Sequence, residues 1–356
     1  MKSVFWSVLV AGLLTAPQST YASEAKNDVS WKIKGKIRAD AAQSTTNTKT
    51  AGSRSDTLKS SSLTLTRAQF EFVGNKGPVE MRIKYYADKN ELKYAFVEYS
   101  FTRELSVSAG KLDSRDLSLE WDYSTTDQYI FGSVGRYGVV SVPGAEAKLM
   151  IEDQALIFQV VQGATPAGYQ VDHSTGGLTC AIQYRGSFMD KMIRPLITYT
   201  AVKTASPHLT KRNADGSVST YNYGNGYQTH TGIGVKIVAD GANVDLEYDT
   251  VKLIKQKNVD TSKDENIGSF IAQTRLGPMS DITPYAKLIV DTDKKGAING
   301  EGDVTRTAYA MGAEYAWDGN IRLHGILSQE QSKVIQAAGD KNTSQLKLNF
   351  GVTASI

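Results

Sequence analysis

Lys32, Lys34, Lys36 and Arg38 stand at alternate positions of one short stretch, and that spacing is the first place where this chain could do chemistry. An extended strand sends alternate side chains to opposite faces, so the four form a single cationic ladder. Arg67, Arg82 and Lys84 extend it from the next two candidate strands, while Asp40, Glu71 and Glu80 offset it, leaving seven positive charges against three negative. Where water is confined between low-dielectric walls, such a surface concentrates anions and lowers the barrier to their passage. The stretch 113–136 has the opposite character, with Asp113, Asp116, Glu120, Asp122 and Asp127 against Arg115 and Arg136. Trp121, Tyr123, Tyr129 and Phe131 are available to pack it, and an acidic segment set against a basic wall would create a field that orients dipolar solutes.

Other chemistry has little to stand on. His173, His208, His230 and His324 are scattered without metal-ligand spacing. The single cysteine, Cys180, permits neither an intramolecular disulfide nor a Cys-rich metal site. Neither enzymatic activity nor a cofactor is expected. The 40 Lys and Arg against 37 Asp and Glu leave a formal charge of +3, too balanced for a nucleic-acid partner.

The elements that must carry these residues are read from a two-residue rhythm. Val29, Trp31, Ile33, Gly35, Ile37 and Ala39 alternate with Ser30, the three lysines, Arg38 and Asp40, and the pattern returns as far as Leu346, Leu348, Phe350 and Val352. It predicts sixteen strands, over 29–40, 63–73, 78–87, 92–101, 105–112, 137–142, 153–162, 177–186, 192–202, 227–239, 242–253, 267–276, 281–290, 305–317, 321–328 and 344–356. The apolar phase changes near Thr66, where a bulge is expected. Tight links such as Gly74–Gly77, Thr102–Glu104, Asp240-Gly241 and Asp318–Asn320 alternate with long polar ones. The long links are Ala41–Ser62, Asp113–Arg136, Gly163–Gly176, Lys203–Gly226, Ile254–Asn266, Asp291–Val304 and Gln329–Thr343, and the short link Asp88–Asn90 breaks the rule.

Residues 1–22 combine Lys2, an apolar stretch from Val4 to Leu14, Pro17 and a small-x-small site at Thr20-Tyr21-Ala22. They read as an export signal, the apolar stretch being too short for a bilayer of roughly 30 Å, and 23–356 remain as one β-domain. Sixteen strands enclose a lumen too wide for side chains to fill, so the apolar face must turn outward to lipid. Short turns at one end and long loops at the other agree with this. Tyr85, Tyr99, Tyr184, Tyr199, Tyr248, Tyr315 and Trp317 fall on the apolar face near predicted strand ends, as an aromatic girdle would. The expectation is an all-β, 16-stranded antiparallel transmembrane β-barrel.

The run from Leu63 to Ala87, LTLTRAQFEFVGNKGPVEMRIKYYA, and then Leu92 to Asp113, LKYAFVEYSFTRELSVSAGKLD, resembles the early strands of Gram-negative porins. It is most similar to the phosphate-selective porin O and P family, and GRYGV at Gly135 to Val139 falls where that family returns from its third external loop. The resemblance implies an outer-membrane porin, a homotrimer in contact with outer-membrane lipid and lipopolysaccharide, passing small hydrophilic or anionic solutes. It further implies that 113–136 folds inward as a constriction loop. The small Gly35 and Ala39 on the outer face of the first strand would permit close subunit packing. Two alternatives stay open: a dedicated phosphate or polyphosphate channel, and a plugged barrel acting as a structural or adhesive surface protein.

Overall fold

A strand with one apolar and one polar face needs a partner along both edges, because an open edge leaves a row of unpaired amides. The computed structural model describes residues 29–51, 55–113, 142–162, 170–171, 178–203, 208–212, 218–222, 227–254, 265–277, 281–294, 303–335 and 340–355. Its strands are β1 (Ser30–Thr50), β2 (Asp56–Lys76), β3 (Val79–Tyr86), β4 (Glu91–Ser100), β5 (Leu105–Leu112), β6 (Val142–Ile151), β7 (Gln154–Gln162), β8 (Gln170–Val171), β9 (Leu178–Arg185) and β10 (Ile193–Lys203). They continue as β11 (His208–Arg212), β12 (Val218–Asn222), β13 (Tyr227–Ala239), β14 (Ala242–Ile254), β15 (Glu265–Leu276), β16 (Ile282–Lys294), β17 (Val304–Ala316), β18 (Ile321–Val334) and β19 (Lys341–Ser355). Sixteen of them close into one antiparallel barrel, each beside its neighbour in the chain, while β8, β11 and β12 form a separate three-stranded sheet. The ring is completed by β1 and β19, paired from Lys36 with Ser355 to Thr50 with Lys341.

The distribution of burial decides which face meets what. Apolar residues are exposed on the outside, among them Ile33 at 62% and Phe350 at 57%, whereas Arg38, Gln159, Gln183 and Glu247 are buried on the inside. A water-soluble barrel would show the reverse, so the outer surface is built to meet hydrocarbon. Tyr99, Tyr184 and Tyr315 stand beside tight turns on this outer face and Tyr85 at the other end of its strand. Tyr199 and Tyr248 sit nearer mid-strand, because their strands run on beyond the apolar span.

Several boundaries differ from the expectation, each for the same reason: alternation is visible only where the two faces contrast. Ala41–Ser62 was expected as a loop, yet β1 continues to Thr50 and β2 starts at Asp56. Past the lipid both faces are polar, and pairing persists through contacts such as Ser44 Oγ to Ser60 Oγ at 2.8 Å and Thr57 Oγ1 donating to Asn47 Oδ1 at 2.8 Å. The predicted loops Asp291–Val304 and Gln329–Thr343 likewise surrender residues to β16, β18 and β19, and Gly163–Gly176 and Lys203–Gly226 contain β8, β11 and β12. The sixth barrel strand is Val142–Ile151, where 137–142 was predicted. Its first outer residues, Pro143, Ala145 and Ala147, are too small to make a strong apolar stripe before Leu149 and Ile151, and 137–141 lie outside the described residues. The expected export signal, 1–22, lies outside them too.

The break in phase on β2 is a bulge. Arg38 pairs with Arg67 and Ala39 with Leu65, so Thr66 has no opposite number. Leu63 and Leu65 before it, and Phe70 and Phe72 after it, therefore all reach the outer face although their parities differ. Deleting Thr66 should remove the bulge and leave Leu63 and Leu65 on the outer face, opposite Ala41 and Ala39 and in unbroken alternation with Phe70 and Phe72. The expected result is a retained heat-modifiable folded band on gel electrophoresis after refolding into detergent; loss of that band would refute the account. The short Asp88–Asn90 link is also explained, since it docks on β2. The Ala68 N–H donates to Asp88 Oδ1 at 2.8 Å and the Ala87 N–H to the Ala68 carbonyl at 2.7 Å.

Candidate functional site

All seven predicted cations fall on the inner side of β1, β2 and β3, since Thr66 restores Arg67 to the parity opposite Arg38. They do not act as one ladder. Lys34 Nζ lies 3.7 Å from Glu71 Oε2, Arg82 Nε 2.5 Å from Glu80 Oε1 and Arg38 Nε 2.9 Å from Asp40 Oδ2. Lys32, Lys36, Arg67 and Lys84 have no carboxylate within salt-bridge distance among the described residues. Two of these four are held by aromatic rings. The Arg67 guanidinium stands 4.7 Å from the Tyr86 ring centre, and Lys84 Nζ 5.8 Å from Tyr86 and 5.6 Å from Tyr94. A ring face positions a cation without cancelling its charge as a carboxylate would. Tyr94 is fixed in turn, its hydroxyl donating to Glu71 Oε1 at 2.7 Å.

Arg38 belongs instead to a structural cluster across the barrel closure. His324 Nε2 on β18 donates to Asp40 Oδ1 on β1 at 2.8 Å, and the strand between them, β19, contributes Gly351 at that level. A Cβ at Gly351 would collide with both Asp40 Oδ1 and His324 Nε2, so only glycine lets the two side chains meet. Arg38 and Asp40 are buried, 5% and 2% exposed, and their charges are spent on each other.

Of the acidic stretch 113–136 only Asp113 is described. Its Oδ1 accepts from Lys93 Nζ at 2.8 Å, and its backbone carbonyl accepts from Gln159 Nε2 at 2.7 Å. Gln159 lies on the inner face of β7, so Asp113 itself rests against the inner wall. Arg115, Asp116, Glu120, Asp122, Asp127 and Arg136 lie outside the described residues.

An acidic counterpart does occur, in a place the sequence reading passed over. Asp245, Glu247 and Asp249 occupy consecutive inner positions of β14, all buried. In the ring of sixteen, β14 is the eighth strand from β3 in either direction, diametrically across from Arg82 and Lys84. The alternation of Asp245, Glu247 and Asp249 with Val244, Leu246 and Tyr248 was legible, but its place opposite β3 was not. A second acid-rich cluster joins four strands. Ser269 Oγ donates to Asp291 Oδ1 at 2.7 Å, and Arg306 reaches Asp291 Oδ2 at 2.7 Å and Glu330 Oε1 at 2.9 Å. Asp291, expected at the start of a loop, is thus a buried strand residue. An apolar patch of Ile271, Ile289, Ala308, Ala310 and Ile326, with Tyr285, interrupts the polar inner face of β15–β18. Among the described residues no group of three or more His, Cys, Asp or Glu could hold a metal ion.

A closed sixteen-stranded barrel, apolar outside and charged within, defines the class as a transmembrane β-barrel with the porin fold. Among solved structures, the outer-membrane expressed OmpT of Vibrio cholerae superimposes with a TM-score of 0.65 at 10% identity, over 94% of this chain and 99% of that one. The outer-membrane channel DcaP of Acinetobacter baumannii gives 0.65 at 12% identity, over 94% and 99%. An anion-selective porin from Comamonas acidovorans gives 0.63 at 13% identity, over 92% and 100%. No family model and no curated protein sequence matches the chain. At such identities the likeness is one of fold, and it extends to porins in general.

Proposed function

We propose that this chain is an outer-membrane diffusion channel for small hydrophilic solutes, with a preference for anions set by Lys32, Lys36, Arg67 and Lys84. The observation that carries this reading is the set of inner-face cations without carboxylate partners on β1–β3, facing acids on β14 across the ring. The anion selectivity of the similar Comamonas porin supports it. A trimer form among the similar structures, OmpT of Vibrio cholerae at a TM-score of 0.59, supports a homotrimer with outer-membrane lipid and lipopolysaccharide around it. Segment 113–136, whose first residue rests against the inner wall, would narrow the lumen with its acidic residues.

The test is single-channel recording in planar bilayers. Stepwise conductance with a reversal potential favouring anions is expected, whereas its absence from correctly folded protein would favour the plugged, adhesive alternative. Arg67 and Lys84 also leave room for the finer reading, a phosphate-selective channel of the O and P family. Phosphate that saturably blocks chloride current would support that reading, and simple additive currents would remove it.

The β14 acids supply an independent prediction. Replacing Asp245, Glu247 and Asp249 by Asn, Gln and Asn removes three negative charges from one wall. At about 10 Å in water each acts on a passing ion with ~0.4 kcal/mol before screening. The anion-to-cation permeability ratio should therefore rise about fivefold in 0.1 M salt and more at lower salt; an unchanged ratio would exclude β14 as the opposing wall.

A further inference from the structure

Three aromatic side chains interrupt the water-facing side of β3 and β4. Tyr86, Tyr94 and Phe96 share the inner parity with Lys84 and Arg82, which are the cross-strand partners of Tyr94 and Phe96. The two tyrosines hold Arg67 and Lys84 by their ring faces. Phe96 has no polar atom to offer water, yet it stands half-buried on that face, 5.6 Å from the Tyr94 ring centre with the two planes at 49°. The row that carries it runs from Val73 and Arg82 through Phe96 to Gly110 and Gly144. Two successive glycines leave no side chain beside Phe96 in that row on the β5 side, so its ring borders a bare stretch of wall. A small hydrated ion gains nothing from such a ring, whereas a solute with a flat apolar body does.

We propose that this stretch of inner wall is a binding subsite for aromatic carboxylates. The inference rests on the reading of the inner face as an anion-preferring channel wall, and it names the class of anion taken there. The ring of the solute would lie against Phe96 above Gly110 and Gly144, in the tilted packing that Tyr94 and Phe96 already show, while its carboxylate accepts from the Lys84 ammonium. Lys84 suits this role because rings position it and no carboxylate lies within salt-bridge distance among the described residues. Arg67, seated on the same Tyr86 ring with its Nε buried and without a hydrogen-bond partner, adds a second positive charge. A sugar fits less well, since its hydroxyls need acceptors and the carboxylates of these strands are engaged. Glu71 accepts from Tyr94 and pairs with Lys34, Glu80 pairs with Arg82, and Glu98 accepts from Ser108 Oγ at 3.0 Å.

Ligand-observed NMR titration of the folded barrel in zwitterionic detergent, with empty micelles subtracted, tests the proposal. The probes are benzoate, cyclohexanecarboxylate, which has the same charge and a similar size but no flat ring, and acetate. Benzoate should bind saturably and about fivefold more tightly than cyclohexanecarboxylate, with no saturable binding of acetate. Phe96→Leu should bring benzoate down to the level of cyclohexanecarboxylate, Phe96→Tyr should retain the difference, and Lys84→Gln should weaken both ligands about tenfold. Equal affinity of the two ring acids for the parent overturns the subsite, as does a Phe96→Leu barrel that still prefers benzoate. Displacement of benzoate by an equal concentration of inorganic phosphate also overturns it, because charge alone would then be read. Planar-bilayer recording from the same preparations separates this inference from the channel reading. Conductance without saturable benzoate binding overturns the subsite and leaves the channel standing, whereas benzoate binding that Phe96→Leu abolishes in a barrel without conductance supports the subsite and counts against the channel.

Discussion

Replacing Lys36, Arg67 and Lys84 by glutamate is expected to invert the ion preference of the channel. The three were chosen because no carboxylate within salt-bridge distance neutralises them among the described residues, unlike Lys34, Arg38 and Arg82. The exchange changes the wall by six charge units. At about 10 Å in water this amounts to ~2.5 kcal/mol for a monovalent ion, and a Debye length of about 10 Å in 0.1 M salt reduces it to ~1 kcal/mol. Anions would then be disfavoured about fivefold and cations favoured by a similar factor, a change of more than an order of magnitude in the permeability ratio. Reversal potentials across a tenfold salt gradient would change sign. The matching exchange at Lys34 and Arg82 should do less, because each substitution leaves a partner carboxylate to be repelled and the local charges rearrange. Equal effects from the two sets would show that net charge alone sets selectivity and that pairing is irrelevant.

The second large effect is expected at the barrel closure. Asp40→Ala leaves the Arg38 guanidinium buried without its carboxylate, and breaking a buried pair in this way costs about 3–5 kcal/mol. Gly351→Ala drives a methyl group between Asp40 and His324, an overpacking that costs about 1–3 kcal/mol. Because both substitutions act on one contact, they should not add. Once Asp40 is alanine the methyl at 351 meets only His324, whose ring has lost the carboxylate that held it, and the double variant should be less destabilised than the sum of the two single ones. Urea titration of the folded fraction in detergent would measure all three. Full additivity, or a Gly351→Ala barrel as stable as the parent, would mean that the bridge across β19 does not help to close the ring.

Alternation made most of the architecture legible. Wherever Ile, Leu, Val or Phe faced Lys, Glu or Gln, as in Trp31 to Ala39 or Leu346 to Val352, the strand and its faces could be read directly. The failures share a physical origin. In β6 the first outer residues are Pro143, Ala145 and Ala147, with Leu149 and Ile151 only at its end, and in the upper parts of β1, β2, β18 and β19 both faces are mostly polar. There the backbone still pairs, but nothing in the side chains distinguishes in from out. Thr66 is the instructive exception, since a change of apolar phase implied a bulge and the register has one there.

For the candidate site, the sequence by itself determined which residues share a face: the lysines of β1, Arg67, Arg82 and Lys84, and equally the β14 acids. Side-chain direction in a strand is a local property of period two and needs no knowledge of the rest of the chain. Only the tertiary structure decided which of those charges remain unpaired and what lies opposite them. Asp40 meets His324 across a glycine almost three hundred residues along the chain, Arg67 rests on Tyr86, and β14 comes to face β3. These are consequences of closing sixteen strands into one ring, which assigns every strand a partner on each side and a counterpart across the lumen.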